Sequence, residues 1–144
     1  MGPKAAERPA LEPFQTKQMI LVDSDILIQY SRGDIAAAEW LDAASEKVEL
    51  VISVVNEIEL LFGSRDKLHL KQTRQLLAAF EIIQIDEAIS MKASSLIEKY
   101  CLSHRLEMPD ALIAATALVN SFGLATLNRK DFRYISDLKL VDYP

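Results

Sequence analysis

Met19-Ile20-Leu21-Val22-Asp23-Ser24-Asp25 is a four-residue apolar run that stops at three polar side chains. A continuous run of this kind suits a strand covered on both faces, as in a parallel sheet. Asp23-Ser24-Asp25 then opens an apolar segment, Ile26 to Tyr30, closed by Arg32-Gly33, which predicts a short helix with polar residues at its start.

The same punctuation recurs along the chain. Asp34 to Glu46 predicts a helix with Asp34 as its cap. Leu50-Val51-Ile52 predicts a second buried strand ending at Ser53, and Val54 to Phe62 a strongly apolar helix stopped by Gly63. Leu68 to Phe80 has helical spacing, Ile82 to Ile85 is strand-like, and Asp86 caps a long helix reaching Tyr100. Pro109 suits a helix start and leads Ala111 to Val119, which Gly123 ends. Leu124 to Leu127 predicts a further strand, Asn128 to Phe132 a loop, and Leu138 to Val141 an edge strand. Strands alternating with helices favour an α/β fold, a three-layer α/β/α sandwich around a central, mainly parallel sheet.

In such sheets ligands bind beyond the carboxyl ends of the strands. Asp23, Ser24 and Asp25 end the first strand, Ser53 ends the second with Glu59 in the following helix, and Thr126, Asn128 and Asp131 follow the last. Asp110 lies in the first turn of the helix leading into that strand. Each acid also has an ordinary reading: Asp23 and Asp25 as helix caps, Asp110 as a complement to the helix dipole, Asp131 as a loop acid. Glu59 shares a helical stripe with Val55, Ile58 and Phe62, where a carboxylate is costly unless paired or bound to a cation. Glu57 points elsewhere, and helix geometry alone does not choose between the two. Carboxylates crowded together need a proton or a cation to persist. An all-oxygen donor set suits Mg2+ or Mn2+ and phosphoryl chemistry.

Composition sets the outer limits. The 144 residues suit one domain, and with half of them hydrophobic they can bury a core. A net charge of −5 argues against a protein that coats nucleic acid broadly, though not against a nuclease whose acids surround a cation. Cys101 is the sole cysteine, which excludes an internal disulfide and a paired-cysteine metal site and fits a cytoplasmic setting. His69 and His104 lie far apart and are read as surface or helix residues. No apolar stretch is long enough to span a membrane. Residues 1–18 contain three prolines and no apolar core run; they are read as a flexible extension before a domain over 19–144. They carry Lys4, Arg8 and Lys17 against Glu7 and Glu12, so without them the net charge is −6.

Taken together, the segments resemble the PIN-domain ribonucleases, including the VapC-type toxins. The first element is Ile20-Leu21-Val22-Asp23-Ser24-Asp25. The second is Ile52-Ser53-Val54-Val55-Asn56-Glu57-Ile58-Glu59-Leu60, with Asn56 standing where the family pattern usually has Thr. The third is Pro109-Asp110-Ala111-Leu112-Ile113-Ala114-Ala115. The fourth is Thr126-Leu127-Asn128-Arg129-Lys130-Asp131-Phe132. The four occur in order and with family-like spacing. The resemblance picks Glu59 over Glu57 and implies that Asp23, Glu59 and Asp110 are the principal metal-holding and catalytic acids. Asp131 is the fourth and acts through water. Ser24, Thr126 and Asn128 orient ligands, and Asp25 supports the Asp23 turn. It implies Mg2+- or Mn2+-dependent cleavage of single-stranded or looped RNA, by in-line attack of water that leaves a 5′-phosphate. Arg32, Arg129, Lys130 and Arg133 are candidate contacts to the RNA backbone.

A cognate antitoxin inserting a basic side chain into the acidic pocket, and a homodimer, are the partners the resemblance implies. Trp40, Leu41, Leu60 and Phe62 are candidates for the receiving groove, with ordinary core as their other reading. Two alternatives stand beside this one. Asp23-Ser24-Asp25 after an apolar strand also resembles the nucleophile motif of haloacid-dehalogenase-type phosphatases, without that family's paired-acid fourth motif. A PIN fold can also serve as a non-catalytic binding module, a case that lost acids would mark.

Overall fold

The computed structural model describes residues 18–143. The expected extension over 1–18 therefore lies, apart from Gln18, outside the described residues. Strands β1 (Met19–Val22), β2 (Glu49–Ser53), β3 (Glu81–Ile83) and β4 (Gly123–Ala125) form one sheet in the order β3-β2-β1-β4. All three pairings are parallel. Helices α1 (Ser24–Ser31), α2 (Ile35–Lys47), α3 (Val54–Phe62), α4 (Lys67–Leu77), α5 (Glu87–His104) and α6 (Met108–Asn120) fill the connections.

The strands have no polar face because both faces are covered. Leu21, Val51 and Leu124 point to one side and join the buried residues Ile89, Ala93 and Leu96 of α5 and Ala111, Ile113 and Ala114 of α6. Their neighbours Val22, Ile52 and Ala125 point to the other side, against Ile26 and Leu27 of α1, Leu41 of α2 and Leu77 of α4. The period-two alternation of a strand thus feeds two cores, and the three-layer sandwich follows. Four alanines of α6 are fully buried, which lets this helix sit close to its neighbours.

Capping residues divide the chain where the sequence suggests. The side chains of Asp34 and Asp86 accept from the third residue of α2 and α5. Segment 138–141 makes a single parallel bridge, Leu124 to Leu140, in place of the expected edge strand. The expected loop after β4 winds into one 3-10 turn at Arg129–Asp131.

The order of strands positions everything that follows. From β1 the chain builds β2 and β3 to one side and later returns to place β4 on the other. The crevice between the carboxyl ends of β1 and β4 is the topological switch point of the sheet, where open α/β folds bind ligands. The C-terminal segment closes the outer edge of β4: Leu124 N–H donates to Lys139 O and Val141 N–H to Leu124 O. A side chain at Gly123 would meet Val141 Cγ2 at 2.7 Å. Gly123→Ala is therefore expected to lower stability by about 1–3 kcal/mol through overpacking, read as a fall in the urea midpoint with unchanged slope.

Candidate active site

Asp23 follows β1 directly and caps α1, its Oδ1 accepting from Ser24 N–H at 2.8 Å. It is 7% exposed. Three further contacts hold it. Its backbone N–H donates to Ala125 O at 2.9 Å. Thr126 Oγ1 donates to its Oδ2 at 2.8 Å. Asn56 Nδ2 donates to its Oδ1 at 3.3 Å.

Asn56 is the residue whose importance the sequence reading missed. It is completely buried. Its Oδ1 accepts from Ser53 N–H at 2.9 Å, completing a capping box for α3. That bond fixes the orientation of the amide, so Nδ2 must face Asp23 and Ser24. It donates to Ser24 Oγ at 2.9 Å, and Ser24 Oγ in turn donates to Glu59 Oε1 at 2.7 Å. The direction of the chain Asn56, Ser24, Glu59 is thereby set. The Ser-x-x-Asn spacing ahead of an apolar run was the available signal.

The same geometry puts Glu59, and not Glu57, beside Ser24 and Asp23, and it corrects the stripe argument. Val55 packs against the core, but Ile58 and Phe62 are 59% and 90% exposed, so the part of the stripe around Glu59 faces solvent and is not a buried apolar surface. Glu57 is ion-paired with Arg74 at 2.9 Å, on the far side of α3. Phe62 is likewise not core, whereas Leu41 is buried and Trp40 packs edge-on against Tyr143 at 5.1 Å.

Asp25 is the second residue of α1. Its Oδ2 accepts from Leu127 N–H at 3.2 Å and Asn128 Nδ2 at 2.9 Å, which ties α1 to the loop after β4. Its Oδ1 is buried without a hydrogen-bond partner among the described residues.

Electrostatics report how tightly the acids gather. Burial, then the charge of Asp25, and to a smaller extent that of Asp110, push the Asp23 carboxyl from its ordinary 3.8 up to about 7, against the lowering effect of its hydrogen bonds. Burial, then the charges of Asp131, Glu59, Glu107 and Asp25, push Asp110 up to about 6. Burial also raises Asp25. Asp110 stands in the first turn of α6, whose Glu107 N-cap makes no side-chain hydrogen bond. Among the described residues no group of three or more Asp, Glu, His or Cys side chains is arranged to hold an ion by itself.

Of the basic candidates, Lys130 lines a cleft of about 330 Å³ together with Asp110 and Asp131. Arg129 is turned to the C-terminal segment, its Nη1 donating to Val141 O at 3.0 Å. Arg133 is exposed, and Arg32 closes α1 at the end away from Asp23, about 14 Å along the axis by helical rise. A larger cleft of about 450 Å³ opens at the opposite edge of the sheet, between Tyr30, Leu41, Phe80 and Glu81, and contains none of these acids.

A parallel sheet with acids gathered around its switch point, delivered by its three crossovers and by the turn after the last strand, defines a known class. The chain belongs to the PIN domain family, whose profile matches residues 20–138. It is 43% identical over 122 residues to Ribonuclease VapC10 of Mycobacterium tuberculosis, covering 84% of this chain and 91% of that protein. It is 32% identical over 123 residues to Ribonuclease VapC19 of the same organism, covering 84% and 98%. Within the PIN family its sequence thus groups with the proteins named VapC. Among solved structures, a toxin-antitoxin complex from Klebsiella pneumoniae matches with a TM-score of 0.73 at 30% identity, over 87% of this chain and 98% of that one. VapBC-1 from nontypeable Haemophilus influenzae shares the fold, with a TM-score of 0.74 at 23% identity over 88% and 98%.

Two outcomes follow from this geometry. Asn56→Leu leaves Ser53 N–H, Asp23 and Ser24 short of a partner and is expected to lower stability by about 2 kcal/mol or more, measured by chemical denaturation. The folded protein also holds the Asp23 proton more tightly than the unfolded chain does. Ionising Asp23 therefore costs stability as pH rises from about 4 through about 7. In chelator, the urea midpoint of Asp23→Asn relative to the parent is expected to rise between pH 4.5 and 7.5; a constant difference would contradict the raised Asp23.

Proposed function

We propose that this chain is a divalent-metal-dependent endoribonuclease and the toxin of a toxin–antitoxin pair. The observation that carries the chemistry is the pair of acids, Asp23 and Asp110, raised by burial and by each other's neighbours at the switch point. Support for RNA as substrate comes from the similarity to Ribonuclease VapC10 over most of both chains.

The residues fit a hard cation. Every donor is oxygen, the carboxylates repel one another, and the buried Asp25 Oδ1 has an unused lone pair. We assign Asp23, Glu59 and Asp110 to hold Mg2+ or Mn2+, with Asp131 acting through water. When bound, the ion supplies a water of lowered pKa and neutralises charge on the scissile phosphate. Ser24 holds Glu59, Asn56 and Thr126 hold Asp23, and Asn128 holds Asp25, so these polar groups keep the acids oriented.

An antitoxin is the partner that fits this reading, supported by the toxin-antitoxin complex at 30% identity. A basic side chain from it would replace the missing cation among the acids. A homodimer belongs to the same reading, and exposed Ile58 and Phe62 on α3 offer apolar surface for either protein. No helix among the described residues is long and apolar enough to cross a membrane.

The test is cleavage of single-stranded RNA in magnesium, in manganese and in chelator. The parent is expected to cut only with the ions, and Asp23→Ala to lose at least about a hundredfold in rate while keeping the parent's circular dichroism. Full ion-dependent activity in folded Asp23→Ala would remove the assignment. Trapping of an aspartyl-phosphate on Asp23 would favour a phosphatase, and RNA binding without cleavage a non-catalytic module.

A further inference from the structure

Beside the acids lies a set of rings that the chemistry above does not use. The imidazole of His104 and the phenol ring of Tyr134 are stacked face to face, with centroids 3.9 Å apart and planes inclined by 8°. Tyr100 flanks them edge-on, 5.0 Å from Tyr134 and 5.8 Å from His104. These distances put Tyr100 beside the stack, against the edges of both rings. The other face of His104 is covered by neither tyrosine, and His104 is exposed.

The stack is anchored from below. Tyr100 is buried, and its hydroxyl accepts from Ser136 N–H at 3.2 Å. Ser103 Oγ and His104 Nδ1 are hydrogen-bonded at 2.8 Å, which limits rotation of the imidazole. Platform and acids share one opening: His104, Arg105, Lys130 and Tyr134 line the same 330 Å³ cleft as Asp110 and Asp131. That volume lies within the range of small-ligand clefts. Arg105, which also lines the cleft, ends α5 in the left-handed conformation, φ 56°, which glycine adopts with less strain.

We propose that the open face of His104, backed by Tyr134, receives one unpaired base of the substrate strand, while Arg105 and Lys130 hold the flanking phosphates. The proposal rests on the reading of the protein as a ribonuclease and names a subsite for it. A rigid aromatic face next to two cations is the combination by which proteins hold single-stranded nucleic acid. A base in a duplex has its faces covered by its neighbours, so this subsite selects loops and single strands. It also counters the negative field of the acids by attaching the strand beside them rather than over them.

The experiment measures binding of a fluorescein-labelled single-stranded RNA of about eight nucleotides, and of the same strand in a duplex, to the full chain in calcium. KM and kcat for cleavage of the single strand are measured in manganese. His104→Ala is expected to weaken single-strand binding about tenfold and to raise KM more than it lowers kcat. His104→Phe, which keeps a ring, is expected to bind like the parent. Arg105→Ala and Lys130→Ala are each expected to flatten the logarithmic salt dependence by about 0.7. Ultraviolet crosslinking of 4-thiouridine RNA to the parent, mapped by mass spectrometry to His104 or Tyr134, gives a readout that no variant's folding affects. Unchanged affinity in His104→Ala, a His104→Phe as weak as His104→Ala, or crosslinks confined to other segments would overturn the subsite. If the parent cleaves RNA and His104→Ala keeps its KM, the subsite fails and the nuclease reading stands. If RNA binds through His104 but no ion supports cleavage, the nuclease reading fails and the subsite stands.

Discussion

A carboxylate buried at the end of a central strand is the constraint to which the rest of this molecule answers. Asp23 has lost nearly all its water, and its neighbours of like charge make ionisation still harder. Such a group persists only where the surrounding chain supplies hydrogen bonds and where a cation or a proton is available. The chain supplies its own part from three segments: the amide of Ser24 after β1, the carboxamide of Asn56 in α3, and the hydroxyl of Thr126 after β4. Helix starts and strand ends are therefore coupled to one another through a single acidic side chain.

The hydrogen-bond frame also explains why small polar residues, and not further acids, fill the spaces between the carboxylates. Ser24 accepts from Asn56 and donates to Glu59, so it transmits an orientation fixed by the α3 capping box to an acid on the surface of the same helix. Thr126 accepts from Asn128 N–H while donating to Asp23. Each hydroxyl uses its single proton toward a carboxylate and its lone pair toward an amide. Replacing one of them disturbs two acids or an acid and a loop at once, which is the behaviour expected of a satisfied polar network.

Much of the architecture was legible in the sequence because buried parallel strands leave an unmistakable trace. Met19–Val22 and Glu49–Ser53 are short apolar runs ended by polar residues, and Asp34 and Asp86 carry the spacing of helix caps. The family could be named from motif order, and the family match over residues 20–138 agrees with it. What was not legible depended on three-dimensional packing. The stripe holding Glu59 has the periodicity of a buried face, yet beyond Val55 α3 turns that face to solvent, and periodicity does not say how much of a helix the sheet will cover. Asn56 looked like a mild exchange for threonine, because a polar residue's burial is invisible until its neighbours are placed. His104 and Tyr134 are thirty residues apart, and only the turn after β4 makes them a stack.

The position of β4 has a consequence for how this protein comes into being. The partners Asp23 and Thr126 are 103 residues apart, so the strand that completes one wall of the acidic crevice is made long after the strand that carries Asp23. Contacts of such long range form late, because the intervening chain must first be ordered. Until then Asp23 is a solvated aspartate with ordinary acidity, and the crevice does not exist. The buried acid at the centre of the fold is thus created only when β4 docks, a delay written into strand order alone.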